Sequence, residues 1–253
     1  MTEHAGTGKM AGRRVIVTGA ASGIGRAIAT LFHAEGAQLA LFDLNEAALA
    51  EVADALGATA IAIDLADTLA LEAAVVCAAE AMGGIDGIVN CAAYSKGGPI
   101  EKTTNEILGR FVAVNLTAPY VICRSALPYL REAEGATIVN IASGQGLLPN
   151  SPNNTAYAAT KGGLIAFSKG LACEVAPRIR VNALAPGLTN TPMAVHLFKD
   201  YPDPNDAPFV QQYALRRIAE PIEIAKGVLF LSCADSSYVT GIVLPVDGGR
   251  SYH

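Results

Sequence analysis

Tyr157 and Lys161 stand four positions apart in Tyr157-Ala158-Ala159-Thr160-Lys161, inside a stretch of helical spacing. That separation puts both side chains on one helix face. A free tyrosine, with a pKa of ~10, is a poor base near neutrality. A nearby ammonium stabilises the phenolate and brings that value down, so the pair can move a proton to or from a substrate oxygen. Ser143, in Ile141-Ala142-Ser143-Gly144, follows an apolar run that reads as a buried strand. Its hydroxyl could hold the same oxygen. Taken alone, a tyrosine four residues before a lysine is a common surface pair, so its meaning depends on what the rest of the chain supplies.

A second constellation lies near the start of the chain. The apolar Val15-Ile16-Val17 runs into Thr18-Gly19-Ala20-Ala21-Ser22-Gly23-Ile24-Gly25, which opens a helix. Gly19 permits a tight turn, Gly23 lets backbone N–H groups approach a pyrophosphate, and Gly25 lets the helix pack close to the strand. Phosphates would sit at the helix N-terminus, where unpaired N–H groups and the macrodipole favour negative charge. Asp43 ends the next apolar run, near the ~20-residue distance at which an acidic side chain takes the adenosine ribose hydroxyls. Its carboxylate would repel a 2′-phosphate. Ser22 precedes Gly23 and Leu44-Asn45 follow Asp43, so no Lys or Arg is on offer there and the expected cofactor is NAD. The alternative for Asp43 is a cap on the following helix.

These residues need a scaffold, and the pattern of the chain provides one. Short, continuous apolar runs read as strands buried on both faces at 13–18, 37–42, 59–63, 87–90, 136–141, 180–184 and 242–246. Helical patterns lie between them at 23–35, 46–56, 69–82, 105–131, 156–174 and 222–234. The alternation predicts an α/β fold with a doubly wound, parallel, seven-stranded sheet of the Rossmann type, in a single domain over 1–253. The stretch 190–217, with Pro192, Pro202, Pro204 and Pro208, breaks the rhythm and reads as a substrate lid.

Composition narrows the field. Of 253 residues, 51% are hydrophobic and 16% charged, with a net charge of −5. That balance leaves no basic footprint for nucleic acid and no basic patch for an anionic membrane. The five cysteines are scattered and read as free thiols of a reducing compartment. His4, His33, His196 and His253 are too dispersed for a metal site. The start of the chain lacks the apolar core of a signal peptide, and no uncharged apolar run is long enough to span a bilayer, so the expected location is cytoplasmic.

With these motifs in order, the chain resembles the single-domain short-chain dehydrogenases/reductases, from about Gly12 to Gly249. The glycine loop matches that family's T-G-x-x-x-G-x-G. Asp64-Leu65 matches its adenine-side aspartate, and Asn90-Cys91-Ala92-Ala93 stands in the place of its N-N-A-G. Asn115, Ser143, Tyr157 and Lys161 match its catalytic tetrad. Pro186-Gly187, Leu188 and Thr191-Pro192 fall in the segment that lines the nicotinamide, and Val246-Asp247-Gly248-Gly249 matches the usual chain end. Three departures stand out. Cys91 and Ala93 replace an asparagine and a glycine, Ser143 lies one residue further from Tyr157 than is commonest, and the lysine's position argues against the enoyl-reductase branch.

The resemblance implies Tyr157 as acid/base, Ser143 as the group polarising the substrate oxygen, and Lys161 on the ribose hydroxyls, lowering the tyrosine pKa. It implies that Asn115 anchors a water leading from Lys161 to solvent. Gly19, Ser22, Gly23, Ile24, Gly25, Asp43, Asp64, Leu65, Asn90, Ala92, Tyr157, Lys161, Leu188 and Thr191 would hold the dinucleotide. Ser95, Gln145, Asn150 and His196 are the candidate substrate contacts. The lid offers apolar and aromatic surface (Leu197, Phe198, Tyr201, Phe209, Val210, Tyr213) and no forked Arg clamp, so a small neutral secondary alcohol or ketone is expected. The small residues around Tyr157 and the resemblance together imply a homotetramer. The competing readings are an NADPH-dependent carbonyl reductase of the 3-oxoacyl type, a catalytically silent dinucleotide-binding protein, and an S-adenosylmethionine-dependent transferase. The last gives no reason for Tyr157 and Lys161.

Overall fold

The computed structural model describes residues 8–251, so His4 and His253 lie outside it. Seven strands form one sheet: β1 (Arg14–Thr18), β2 (Gln38–Asp43), β3 (Thr59–Ala62), β4 (Gly87–Asn90), β5 (Ala136–Ile141), β6 (Ile179–Pro186) and β7 (Val243–Val246). Their order is β3-β2-β1-β4-β5-β6-β7 and every pairing is parallel. The helices are α1 (Gly23–Ala34), α2 (Glu46–Leu56), α3 (Thr68–Met82), α4 (Asn105–Val112), α5 (Ala118–Glu132), α6 (Gly144–Leu147), α7 (Thr155–Val175) and α8 (Pro221–Ser232).

The continuous apolar runs have a simple cause. Side chains alternate between the faces of a strand. Val15 and Val17 of β1, with Leu39 and Leu41 of β2, feed a core under α1, α2 and α8. Ile16, Ala40 and Phe42 feed the opposite core, under α3, α5 and α7. Both faces being covered, the inner positions Val15–Val17 and Leu39–Phe42 are buried and apolar. Local chemistry sets the helix ends. Asn45 Oδ1 accepts from Ala48 N at the start of α2, and Asp67 Oδ1 accepts from Ala70 N at the start of α3.

Sheet order places the site. β1 pairs with β2 on one side and β4 on the other, so the chain winds in opposite directions from that point and leaves a crevice beyond the strand ends. Thr18 Oγ1 ties the two sides together, accepting from Cys91 N and Ala92 N, both at 3.0 Å.

Two elements differ from the sequence expectation. The single helix expected over 105–131 is interrupted by a π-helical turn, Ala113–Thr117, which carries Asn115. Wide turns of this kind re-aim side chains and concentrate at functional sites. By length and composition the whole path Asn105–Glu132 could cross a membrane, but here its apolar side is part of the core against α3 and β5. The short α6 directly after Ser143 was not anticipated. Four residues leave too little periodicity to read.

Candidate active site

The glycine loop closes because two of its positions admit no side chain. Gly19 has φ 70°, and a Cβ there would lie 2.8 Å from Ala92 Cα. A Cβ on Gly25 would lie 2.0 Å from the Gly19 carbonyl oxygen, so the first turn of α1 rests on the loop itself. The Thr191 side chain packs over Gly23 from the lid side. Gly19, Ser22, Gly23, Ile24 and Gly25 line a cleft of about 1170 Å³.

Asp43, the last residue of β2, also lines this cleft. Its Oδ2 accepts from Ala21 N and its Oδ1 from Asn45 N, each at 3.0 Å. The cap on α2 is Asn45, so the capping alternative for Asp43 does not hold. A carboxylate has about four acceptor sites, so two remain for ribose hydroxyls. Asp64 also lines the cleft, with Oδ2 2.8 Å from Arg110 NH1 and Oδ1 accepting from Ala66 N. The Arg110 hydrogen bond holds the Asp64 carboxyl below its ordinary value against some desolvation. Arg110 itself lines the cleft, a cation that the sequence reading did not place there.

Leu65 and Ala92 line the cleft as expected, whereas Asn90 does not. Its buried side chain points away, donating to Asn140 Oδ1 at 2.8 Å and to Cys123 Sγ at 3.5 Å. Asn140 in turn donates to Ser168 Oγ, and Ser168 to the Leu164 carbonyl. Asn90 thus belongs to a polar chain bracing β4, β5 and α7. Cys91 takes the cleft-facing position, and burial pushes its thiol up to about 12, against a smaller downward pull from Lys161.

At the other end, Tyr157, Lys161 and Ser143 converge. The first turn of α7 brings Tyr157 into the cleft, and Ser143, two residues beyond the end of β5, caps α6, its Oγ accepting from Gln145 N at 3.1 Å. Lys161 is 1% exposed, donates from Nζ to the Ile141 carbonyl at 2.6 Å, and lies 5.8 Å from the centre of the Tyr157 ring. Burial lowers its pKa to about 8.

Tyr157 moves against expectation. Burial raises its pKa to about 12, and the neighbouring Ser143 hydroxyl only partly offsets this. The ammonium does not bring it down as expected, because Lys161, at about 8, has already lost its proton at the pH where Tyr157 would ionise. Desolvation of the phenolate then dominates.

Asn115 is fully buried and its amide is heavily used. Oδ1 accepts from Tyr94 N at 2.7 Å, while Nδ2 donates to Tyr94 O at 3.0 Å and to Thr160 Oγ1 at 3.1 Å. Both N–H donors of its side chain are spent on protein partners. It holds the segment after β4 to the turn of α7 that carries Tyr157.

Ser95, Gln145, Asn150 and His196 all line the cleft, as do Leu188 and Thr191. Gln145 is partly committed elsewhere, since its amide donates to Ser151 Oγ at 2.8 Å and accepts from Ser151 N. The lid aromatics divide. Phe198, Val210 and Tyr201 pack with Phe209 into a small core of their own, whereas Leu197, Phe209 and Tyr213 reach the cleft. Arg250, from the chain end, also lines it and was missed, since nothing local marks a residue that tertiary structure returns to the lid.

A family model described as enoyl-(acyl carrier protein) reductase matches residues 19–251. The chain is 36% identical over 249 residues to a 2,5-dichloro-2,5-cyclohexadiene-1,4-diol dehydrogenase of Sphingobium indicum, covering 96% of this chain and 98% of that one. A 3-ketoacyl-(acyl-carrier-protein) reductase from Brucella melitensis, solved with NADH, superposes with TM-score 0.87 at 33% identity, over 96% of this chain and 99% of that one. A blue fluorescent protein from a metagenomic library, solved with NADPH, gives 0.88 at 30% identity over 96% and 99%. With the cleft, the glycine loop and the Ser143–Tyr157–Lys161 cluster in place, the chain belongs to the short-chain dehydrogenase/reductase family of oxidoreductases.

Proposed function

We propose that the chain is an NAD-dependent oxidoreductase that moves a hydride between nicotinamide and a small neutral secondary alcohol or its ketone. One observation carries this reading. A single cleft has Tyr157 and Ser143 at one end and the backbone-fixed Asp43 carboxylate at the other. The donor set fits a dinucleotide: a glycine cradle that a Cβ would fill, a helix N-terminus behind it, and two free acceptor sites on Asp43. When bound, the dinucleotide supplies the hydride chemistry.

The protein's own residues handle the proton. Tyr157 stays protonated through neutrality, as a donor to the oxygen of a carbonyl that is gaining charge must. Ser143 offers its hydroxyl to the same oxygen. Lys161, with a pKa of about 8, changes protonation close to neutrality and is placed behind the Tyr157 ring to restore its proton. Asn115, through Tyr94 and Thr160, keeps these elements in register. The apolar lid face excludes water, which strengthens each of these interactions. The relative acting on a cyclic diol supports a ring-sized alcohol substrate.

Cofactor choice rests on Asp43. Asp43→Arg exchanges a ribose acceptor for a phosphate partner, so the ratio of kcat/KM for NAD over NADP should fall by ~10²-fold or more. Wild-type preference for NADP would refute the role given to Asp43. One observation favours the second reading, an NADPH-dependent carbonyl reductase: Arg110 brings a cation to the adenosine end. Its guanidinium is engaged by Asp64, which leaves NAD the better match.

A homotetramer is the proposed assembly. Leu108, Val112 and Tyr120 leave apolar surface exposed along α4 and α5, and Phe230, Tyr238 and Ile242 do so near the chain end. Two separate apolar faces suit two kinds of two-fold contact. Light scattering should give four times the chain mass, and a stable monomer would refute it.

A further inference from the structure

Five formally charged side chains line the cleft among the described residues: Asp43, Asp64, Arg110, Lys161 and Arg250. The first three belong to the adenosine end, and Lys161 is buried behind Tyr157. Arg250 alone brings a fixed charge to the lid side, and the chemistry proposed above does not use it. Its placement is built. The guanidinium carbon lies 5.9 Å from the centre of the Tyr213 ring, and NH2 donates to Gln212 Oε1 at 2.8 Å. Tyr213 is itself pinned, its hydroxyl accepting from Leu188 N at 3.3 Å. The platform beneath Arg250 is therefore tied to the segment that follows β6, in the same cleft as Tyr157.

The carboxylate nearest in sequence is already spent. Asp247 accepts from Gly249 N at 3.0 Å, Ser251 N at 3.0 Å and Ser251 Oγ at 2.6 Å. Among the described residues no carboxylate pairs with Arg250. A guanidinium has five N–H donors, and only one is used here by the described residues. A substrate that displaced water from those donors without replacing the acceptor would bind at a loss.

We infer that Arg250 reads a second oxygen of the substrate, remote from the carbon that exchanges hydride. The substrate class is then a doubly oxygenated compound: a diketone, hydroxyketone or diol, or a keto acid whose second oxygen is a carboxylate. This rests on the proposed hydride transfer and deepens it, except that the keto acid would replace the neutral substrate proposed above. Arg250 is a specificity-determining residue, acting by hydrogen bonds to an oxygen that takes no part in the reaction.

The test compares wild type with Arg250→Met on three ketones: cyclohexanone, cyclohexane-1,4-dione and 4-oxocyclohexane-1-carboxylate, each with NADH. The kcat/KM ratio of a doubly oxygenated probe to cyclohexanone should fall about tenfold to a hundredfold in the variant, the range of a lost hydrogen bond to a charged group. A drop confined to the dione assigns a neutral second oxygen, and one confined to the keto acid a carboxylate. Unchanged ratios, whether activity falls equally on all three probes or on none, would overturn the inference. So would a parallel loss of NADH affinity, since Arg250 would then only be holding the lid. If wild type reduces none of the three, the proposed hydride transfer fails, and this inference with it.

Discussion

Tyr157→Phe should lower turnover by ~10²–10⁴-fold, the range for loss of a positioned general acid or base. The ring is retained, so packing against the neighbouring turn of α7 and the Lys161 ammonium is preserved. Only the ionisable oxygen, on which Ser143 acts, is removed. NADH affinity should change little, because Gly19, Gly23, Asp43 and Lys161 keep their places. The check is steady-state turnover beside NADH binding followed by fluorescence, on the same preparation. Turnover near wild type would show that another group handles the proton. A large loss of NADH affinity would show that Tyr157 mainly holds the cofactor.

The second large effect concerns Gly25. The three nearest atoms that a new Cβ would meet there are all backbone: Gly19 O at 2.0 Å, Gly19 C at 2.6 Å and Ala20 Cα at 3.2 Å. No rotamer can relieve such a clash, so in Gly25→Ala either α1 or the loop must shift. Overpacking of this kind costs ~1–3 kcal/mol and occasionally more. The shift falls on the groups expected to meet the pyrophosphate, so NADH affinity should drop by ~10²-fold. Gly170→Ala on α7 is the control. No atom lies within 4 Å of its added methyl, and the change should stabilise the helix by ~1 kcal/mol. A Gly25→Ala protein that binds NADH normally would contradict the packing described here. Thermal melts of both variants separate loss of binding from loss of fold.

Much of the site was legible because its signals are local. Gly19, Gly23 and Gly25 sit at a strand-to-helix junction that dictates their spacing, and Tyr157 and Lys161 share a helix face by arithmetic alone. The central strands could be read because burial on both faces removes the polar alternation that would mark a solvated sheet, whereas the edge strands β3 and β7 are apolar yet only partly covered. What was missed depends on topology. Arg250 and Arg110 reach the cleft from distant parts of the chain, and no neighbouring residue announces either. Asn90 sits in a motif associated with the cofactor, yet strand alternation turns its side chain toward Asn140. The π turn at Asn115 lies inside an unbroken helical pattern, and period alone does not reveal one extra residue per turn. The Tyr157 pKa was read in the wrong direction because a charge neighbour is visible in the sequence and desolvation is not.

The most direct test of hydride transfer follows the hydride itself. Wild-type protein is incubated with a cyclic secondary alcohol deuterated at the carbinol carbon, with NAD in one sample and NADP in another, and the reduced cofactor is examined by mass spectrometry. The account predicts deuterium in the reduced nicotinamide, formed faster from NAD than from NADP, and lost in Tyr157→Phe. Reduced cofactor without deuterium, or faster transfer to NADP, would contradict it.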